Sequence, residues 1–229
     1  MTNTVRRHSQ PGARRCAFTG YRSQKMPFGF DEADPRCIDF KKRLKDTIHA
    51  LYYCGYKHFI SGGALGMYMF SAEAVVELRK EYPEIVLEMV SPFDAQAAKW
   101  SPEHQARHDR LFELADITTA TGHEYTKGAM FIRNRYLVNN ADLLLAAYDG
   151  QPGGTEMTIV HVHTARIQRV PQHGSNGLRR PYLLRIRILG IEVLNIARDA
   201  VPLSIISVEA VGMRKQFRTV RIWWASTKG

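Results

Sequence analysis

The sequence predicts an α/β fold of the Rossmann-like kind, with a mainly parallel sheet, helices on both faces and a basic C-terminal extension. Three observations support this prediction. Between residues 15 and 168, short apolar segments alternate with segments whose apolar side chains recur at a helical period. The short segments are apolar on both faces, as in strands buried within a parallel sheet. Glycine-rich turns connect several of these strands to the helices that follow them.

The predicted elements follow one another with short connections. The predicted strands are residues 16–20, 57–61, 85–92, 117–122 and 141–150. The predicted helices are residues 36–54, 67–81, 102–114, 129–140 and a last helix from the Gly153-Gly154-Thr155 turn to about Gln168. Gly55 and Pro83 are typical residues after a helix end. Ser101 and Pro102 are typical of an N-cap and a first helical position.

The chain is expected to have three parts: a flexible leader at residues 1–14, a nucleotide-binding domain at residues 15–168, and a basic extension at residues 169–229. From Arg166 to the end there are twelve Lys+Arg and three Asp+Glu residues, which give +9 of the total net charge of +10. The main domain is therefore nearly neutral. Any inference from charge to nucleic acid concerns the extension alone.

The extension permits several interpretations. Its β-branched segments are compatible with strands, but none continues the preceding pattern. A solvated, partly disordered segment is the favoured interpretation. Nucleic-acid binding through FRTVRIWW is an alternative, because arginines neutralise phosphates and aromatic rings stack on bases. A further hypothesis is that the extension is not native to the fold, since it resembles translation in a shifted reading frame.

The composition excludes other classes of protein. No apolar run is long enough to cross a bilayer, and the first residues lack the apolar centre of a signal peptide. The three cysteines, Cys16, Cys37 and Cys54, have no metal-ligand spacing and indicate reduced thiols. The sequence therefore predicts a cytoplasmic protein without membrane contact.

Three loops that follow predicted strands have chemistry suited to a phosphate. The first contains Thr19, Gly20 and Arg22, and an arginine can fork onto a phosphate. The second runs from Ser61 through Gly62 and Gly63 to Gly66, and the third contains Gly153, Gly154 and Thr155. A glycine loop that opens a helix presents backbone N–H groups at its positive end.

One such loop is weak evidence, because glycine turns also serve as tight connections. Three loops at the carboxyl edge of one parallel sheet favour a ligand site, since ligands bind at that edge. Arg133 and Asn134, at the predicted fourth helix, are candidates to reach the same edge. The alternative for this pair is a solvated helix surface.

With these loops the sequence resembles the SLOG superfamily, the Rossmann-like group of lonely-guy phosphoribohydrolases and Smf DNA-processing proteins. Within it, the chain is most similar to the YpsA-like family. The matching segments, in family order, are AFTGYR, FISGGALGM, SAEAVVELRKEYP, SPFDAQAAKW, FIRNRYLVNNADLLLAAYDG and GGT. The resemblance implies a nucleotide or ADP-ribose-like ligand over the two glycine loops, with Arg22, Arg133 and Asn134 nearby. It also implies that a homodimer is plausible.

Two positions depart from the resembled pattern. Family members usually carry an acidic residue shortly after GGALG, where this chain has Tyr68. The phosphoribohydrolase branch needs a glutamate three residues after the threonine of its glycine loop, where this chain has Thr158. Glu156 lies on another side of that helix. Glu73 remains a weak catalytic candidate, because cleavage of an N-glycosidic bond needs a carboxylate beside the ribose.

Other conspicuous residues favour ordinary structural roles. His104 and His108 share a helix face, and His161 and His163 lie two residues apart, but neither pair has a third ligand in sequence. No metal and no cofactor is therefore predicted. The aromatic residues Phe93, Trp100 and Phe131 are candidates to stack on a base, although core packing is the usual role of such side chains.

The leading hypothesis is a domain that binds or senses a nucleotide-derived ligand, because the loops suit phosphate and no convincing catalytic carboxylate accompanies them. One alternative is a nucleoside-monophosphate phosphoribohydrolase or related N-glycosidase. The second alternative is nucleic-acid binding, which the sequence permits only through the basic extension.

Overall fold

The computed structural model describes residues 12–148 and 152–159, together with four short strands between residues 185 and 223. The chain divides into two compact units, Met1–Ile196 and Ala197–Gly229. In the first unit strands and helices alternate as the sequence predicts. This unit is an α/β domain of the Rossmann-like kind.

The elements of the first unit lie within a few residues of their predicted positions. The strands are β1 (Arg14–Gly20), β2 (Tyr56–Ser61), β3 (Val86–Ser91), β4 (Ile117–Ala120) and β5 (Leu143–Ala147). The helices are α1 (Pro35–Tyr53), α2 (Met67–Leu78), α3 (Pro102–Leu114) and α4 (Ala129–Asn139). Residues 154–159 are also helical, and the rest of the predicted last helix lies outside the described residues.

The five strands are parallel and follow the order β4-β3-β2-β1-β5. The chain steps outward from β1 to β4 and then returns to the other side of β1. Because such crossovers are right-handed, α1, α2 and α3 cover one face and α4 covers the other. In agreement, α2 packs between α1 and α3, whereas α4 contacts β1 and β3. The predicted parallel sheet with helices on both faces is confirmed.

Four strands belong to the predicted extension. Strands β6 (Arg185–Ile188) and β7 (Ile191–Asn195) continue the sheet beyond β5 in antiparallel pairing. In the second unit, β8 (Ser207–Ala210) and β9 (Val220–Trp223) pair antiparallel with each other. The rest of the extension and the leader before Gly12 lie outside the described residues. The predictions about their disorder, origin and nucleic-acid binding therefore stay predictions.

The main core lies between the sheet and the layer formed by α1, α2 and α3. Phe18 of β1 and Phe59 of β2 stack with ring centroids 5.9 Å apart. Leu44 and Ile48 of α1 are fully buried in the same core cluster. Among the described helices, none is long and apolar enough to cross a membrane.

The long connection from β1 to α1 is fastened to three helices. Glu32 in this connection forms ion pairs with Lys41 of α1 and with Arg107 of α3. Arg107 also pairs with Glu73 of α2. Burial of the guanidinium opposes its charge, but the hydrogen bonds to Glu73 and Glu32 outweigh burial and raise the pKa of Arg107. This cluster holds the connection that begins at Tyr21 against the helical layer.

A buried polar network crosses the opposite face of the sheet, beneath α4. Glu88 of β3 lies 2.9 Å from Nε2 of His58 and accepts hydrogen bonds from Tyr136 at 2.7 Å and Thr119 at 3.1 Å. An ionised carboxylate only accepts, so His58 donates from Nε2. Burial opposes the charge of Glu88, but the bonds from His58 and Tyr136 outweigh burial and hold its pKa below the usual value.

The network makes stability depend on pH in one direction. A carboxyl group with a lowered pKa contributes stability above its unfolded pKa of about 4.3, and this contribution disappears as pH falls through the folded pKa. We expect Glu88→Gln to lower the free energy of unfolding by about 2 kcal/mol at pH 7. The difference from wild type should be constant between about pH 7 and 6 and shrink below about pH 4. Urea unfolding across this pH range measures it, and a difference unchanged at pH 3 would contradict the lowered pKa.

Candidate functional site

The candidate site lies where the strand order reverses. Strand β1 is paired with β2 on one side and with β5 on the other. Their carboxyl ends, at Gly20, Ser61 and Ala147, are therefore neighbours along one edge of the sheet. In open α/β sheets, ligands bind in the crevice at this kind of reversal. The three predicted loops all follow these three strands.

The first two loops are locked together through their backbones. Gly66 has φ +84°, and a side chain there would bring Cβ within 2.6 Å of the Tyr21 carbonyl oxygen. The N–H of Met67 donates to the same oxygen at 3.2 Å. Only glycine permits both the left-handed conformation and this close approach. Gly66 therefore fixes the loop after β1 against the start of α2.

The loop between β2 and α2 is held from inside by the buried Ser61. Its hydroxyl donates to the carbonyl oxygen of Tyr68 at 2.8 Å. Among the described residues, the N–H groups of Ala64 and Leu65 meet no hydrogen-bond acceptor. Both residues precede α2, whose first-turn N–H groups at Met67 and Met69 donate to the carbonyl oxygens of Tyr21 and Ala64. Unpaired N–H groups next to a helix N-terminus, together with the helix dipole, favour an anion. This part of the loop has the chemistry of an anion site.

Arg133 of α4 holds the same loop in place through a hydrogen bond to its backbone. Its Nη1 donates to the Gly62 carbonyl oxygen at 2.6 Å, and Gln96 donates to that oxygen at 3.3 Å. A Cβ at residue 62 would lie 1.5 Å from Nη1, so the guanidinium occupies the space that a side chain would need. The opposite orientation of C=O and N–H in a trans peptide then turns the N–H of Gly63 away from Arg133, and this N–H donates to the Ser61 hydroxyl oxygen at 3.5 Å.

A chain of hydrogen bonds joins the two glycine loops. Thr19 at the end of β1 lies 3.2 Å from the hydroxyl of Tyr68, which donates to Asn134 at 3.5 Å. Asn134 donates to the hydroxyl of Thr158 at 2.9 Å, and Thr158 donates to the Gly154 carbonyl oxygen at 2.8 Å. The chain therefore runs from β1 through α2 and α4 to the helical segment 154–159.

The third predicted loop, which is the second of the two glycine loops, is described from Pro152 onward. The N–H of Gly153 donates to the Glu156 carboxylate at 3.3 Å. A Cβ on Gly154 would meet no described atom within 4 Å, whereas one on Gly153 would lie 3.6 Å from Nζ of Lys25. Thr155 is buried at the start of this helical segment. The described residues thus leave open space beside Gly154 at the helix start.

The predicted ligand-binding residues lie at one edge of the sheet, whereas the weak catalytic candidate lies away from it. Most of them lie at the shared edge: Thr19, Gly20, Ser61, Gly62, Gly63, Gly66, Arg133, Asn134, Gly153, Gly154 and Thr155. Arg22 belongs to the same edge but is exposed, and its Nη2 contacts the sulfur of Met130 at 3.9 Å. Glu73, the weak catalytic candidate, lies on the side of α2 that faces α3, where its Oε1 is 2.5 Å from Nε of Arg107.

The three aromatic candidates are also separated, and Phe131 lies on α4, where the guanidinium carbon of Arg135 is 5.9 Å from its ring centroid. Phe93 follows β3 and meets the exposed Tyr125, which follows β4, with ring centroids 5.4 Å apart and planes at 82°. Trp100 packs instead against His108 of α3 at 5.4 Å. The Tyr21 and Tyr148 pair, with ring centroids 6.1 Å apart, directly follows β1 and β5, and the Phe93 and Tyr125 pair lies beyond β3 and β4. The latter pair extends the edge past β2 with a surface on which a planar ring can stack.

The structure adds side chains to which the sequence assigned no role. Gln96 holds the Gly62 carbonyl, and Lys25 approaches Gly153. Gln96 lies within SPFDAQAAKW, one of the segments that resemble the family, which was the available signal. Tyr68 and Thr158 were noticed only as departures. Their places in the hydrogen-bond chain depend on contacts between distant elements, which no local pattern reveals.

Comparison with known proteins agrees with this architecture. The model of the YspA SLOG family matches residues 16–171. Among similar curated proteins, a UPF0398 protein of Halalkalibacterium halodurans is 30% identical over 156 residues, which cover 67% of this chain and 82% of the relative. A UPF0398 protein of Oenococcus oeni is 31% identical over 142 residues, covering 60% of this chain and 75% of the relative. The chain therefore belongs to the YspA SLOG family.

Proposed function

We propose that this chain binds a nucleotide or nucleotide-derived ligand, such as an ADP-ribose-like molecule, at the carboxyl edge of the sheet. One observation supports this proposal above the others. The two glycine loops, each at a helix start, flank the reversal at β1 and are joined by the hydrogen-bond chain from Thr19 to Gly154. A purely structural connection between strand and helix needs neither the second loop nor the link between them.

The surroundings of the loops supply the other contacts that a nucleotide requires. The helix starts and the cations Arg22 and Lys25 suit phosphate groups. The side chains of Thr19, Tyr68 and Asn134 are bonded to one another and fix the part of the edge on which a sugar would lie. The Phe93 and Tyr125 rings suit a base. A phosphate alone would use only the first of these three features.

Binding or sensing accounts for the site better than hydrolysis. Thr158 occupies the position of the phosphoribohydrolase glutamate, and its hydroxyl both accepts from Asn134 and donates to Gly154. Glu73 is engaged by Arg107 at 2.5 Å and 2.7 Å on the side of α2 that faces α3. Cleavage of an N-glycosidic bond needs a carboxylate beside the ribose. Neither residue supplies one in the described part of the edge.

We also propose that the protein acts in the cytoplasm. Cys16, Cys37 and Cys54 are all free thiols in the structure. Burial raises the pKa of the Cys16 thiol far above its usual value, which keeps this thiol protonated and inert. Unpaired cysteines are usual in a reducing compartment.

The open space at Gly154 provides a direct test of the ligand position. We expect Gly154→Val to weaken binding by about tenfold or more, because the branched side chain occupies the space beside the helix start. The melting temperature of the free protein should change by less than about 4 °C, since the residue meets no described neighbour. Thermal shift and calorimetry with AMP, ADP, NAD and ADP-ribose measure both effects.

Two variants control this experiment. Gly154→Ala should cause a smaller loss than Gly154→Val, because it adds one carbon to the same space. Lys42→Ala removes a charge from α1, where the side chain is 73% exposed, and should leave binding unchanged. If the wild-type protein binds none of the four ligands, the proposed function is wrong. If Gly154→Val binds as wild type does, the ligand lies elsewhere.

Glu73→Gln separates the binding proposal from the hydrolase alternative. The Glu73–Arg107 pair is partly exposed, so we expect the variant to lose less than about 1 kcal/mol of stability. Ligand affinity should stay within about twofold of wild type. Glu77→Gln, which breaks the neighbouring pair with Lys45, is the matched control. Chromatography should detect no free base from any of the three proteins. Base release by wild type that disappears in Glu73→Gln alone would favour the hydrolase.

A further inference from the structure

Arg133, the buried cation next to the loop between β2 and α2, has no negatively charged group among its contacts in the described residues. Arg133 is 3% exposed, and its Nε has no hydrogen-bond partner among the described residues. Its recorded contacts are with the Gly62 carbonyl, the sulfur of Met130 and the ring of Tyr68, whose centroid lies 4.5 Å from the guanidinium carbon. None of these groups carries a negative charge.

Two half-buried arginines of the domain are paired with carboxylates, in contrast to Arg133. Arg79 lies 2.6 Å from Asp116, and Arg107 pairs with both Glu73 and Glu32. A buried ion without a counter-charge is costly, and removal of one partner of a buried pair destabilises a protein strongly. Arg133 therefore differs from these arginines in a way that packing alone does not explain.

The charges around Arg133 make its situation less favourable. Burial lowers the pKa of Arg133, Tyr68 opposes that effect, and the positive charge of Arg22 adds to it. Lys25 brings a third cation to the second glycine loop, next to Gly153. Glu156, whose carboxylate accepts from the Gly153 N–H, is the carboxylate that the described residues place at this loop. Among the described residues near the two glycine loops, the three cations Arg22, Lys25 and Arg133 exceed the one carboxylate, Glu156, by two.

The excess of positive charge around Arg133 depends on the neutral side chain of Tyr68. Its ring covers one face of the Arg133 guanidinium and attracts it through the electron-rich ring face. Its hydroxyl is committed to Thr19 and Asn134. A carboxylate at residue 68 would lie against the same guanidinium and neutralise it. With tyrosine there, the counter-charge has to come from outside the described residues.

We propose that Tyr68 makes this site selective for a ligand that brings two negative charges on phosphate. The inference rests on the proposed function, because it assumes that the ligand lies over the glycine loops. Arg133 acts from beneath Gly62, through its field and through the peptide that it orients. The low dielectric of the buried surroundings strengthens that field. Tyr68 is thus a specificity residue that acts by leaving the cation uncompensated.

The test compares three adenosine compounds that differ in phosphate charge. Near pH 7.5 adenosine carries no phosphate charge, 3′,5′-cyclic AMP carries about −1 and AMP about −2. For the wild-type chain, calorimetry at low salt should give the affinity order AMP, then cyclic AMP, then adenosine. Equal affinity for AMP and adenosine, with binding intact, would overturn the inference and leave the proposed function standing.

Two substitutions of equal size isolate the charge at residue 68. Tyr68→Glu and Tyr68→Gln both remove the ring and differ only in charge. We expect AMP to bind at least about tenfold more weakly to Tyr68→Glu than to Tyr68→Gln, with adenosine affinity equal in the two. Equal AMP affinity in the two variants overturns the inference. Absence of binding of AMP, ADP, NAD and ADP-ribose to wild type instead overturns the proposed function.

A measurement on the wild-type chain keeps the inference testable if these variants fail to fold. The second ionisation of a phosphomonoester has a pKa of about 6. AMP affinity should therefore fall severalfold between pH 7.5 and 5.5, whereas that of cyclic AMP should not, since its phosphodiester does not titrate in this range. Cyclic AMP also controls for titration of the protein. Parallel behaviour of the two ligands would overturn the inference.

Discussion

The pairing of β1 with β2 on one side and β5 on the other is the constraint on which the site depends. Because β1 is central, the loops after these three strands share one edge of the sheet. The helical connections lead away from β1 in opposite directions, which leaves a crevice at this edge. The two glycine loops lie far apart in sequence, yet this pairing places both at the crevice. The hydrogen-bond chain from Thr19 to Gly154 can form only because the ladder holds the three strand ends in register.

The buried Arg133 links the architecture to the chemistry. Its hydrogen bond to Gly62 fixes one peptide of the first glycine loop, and α4 supplies it from the face opposite to α2. The desolvation of an unpaired guanidinium opposes folding. The domain offsets that cost through the sheet and the core around Phe18 and Phe59. An anionic ligand would remove part of the cost on binding, so such a ligand stabilises the folded domain.

The fold of residues 15–148 was predictable because its information is local. Apolar runs, helical periods and glycine turns specified the five strands and four helices within a few residues. The two glycine loops were found for the same reason. The roles of Tyr68, Gln96 and Thr158 were not predictable, because each depends on a partner from a distant element. Strands β6 and β7 were left open, because their β-branched segments did not continue the preceding alternation of strands and helices.

Two substitutions of carboxylate by hydroxyl distinguish this chain from the hydrolase pattern that it resembles. Tyr68 and Thr158 stand where the resembled proteins have acidic side chains, and both now belong to one neutral hydrogen-bond chain. An oxocarbenium-like transition state develops positive charge, which a neutral chain stabilises poorly and a nearby Arg133 destabilises. The same arrangement favours a negatively charged ground state. The electrostatics of the edge therefore agree with the proposed binding of a phosphorylated ligand and disfavour a cationic transition state there.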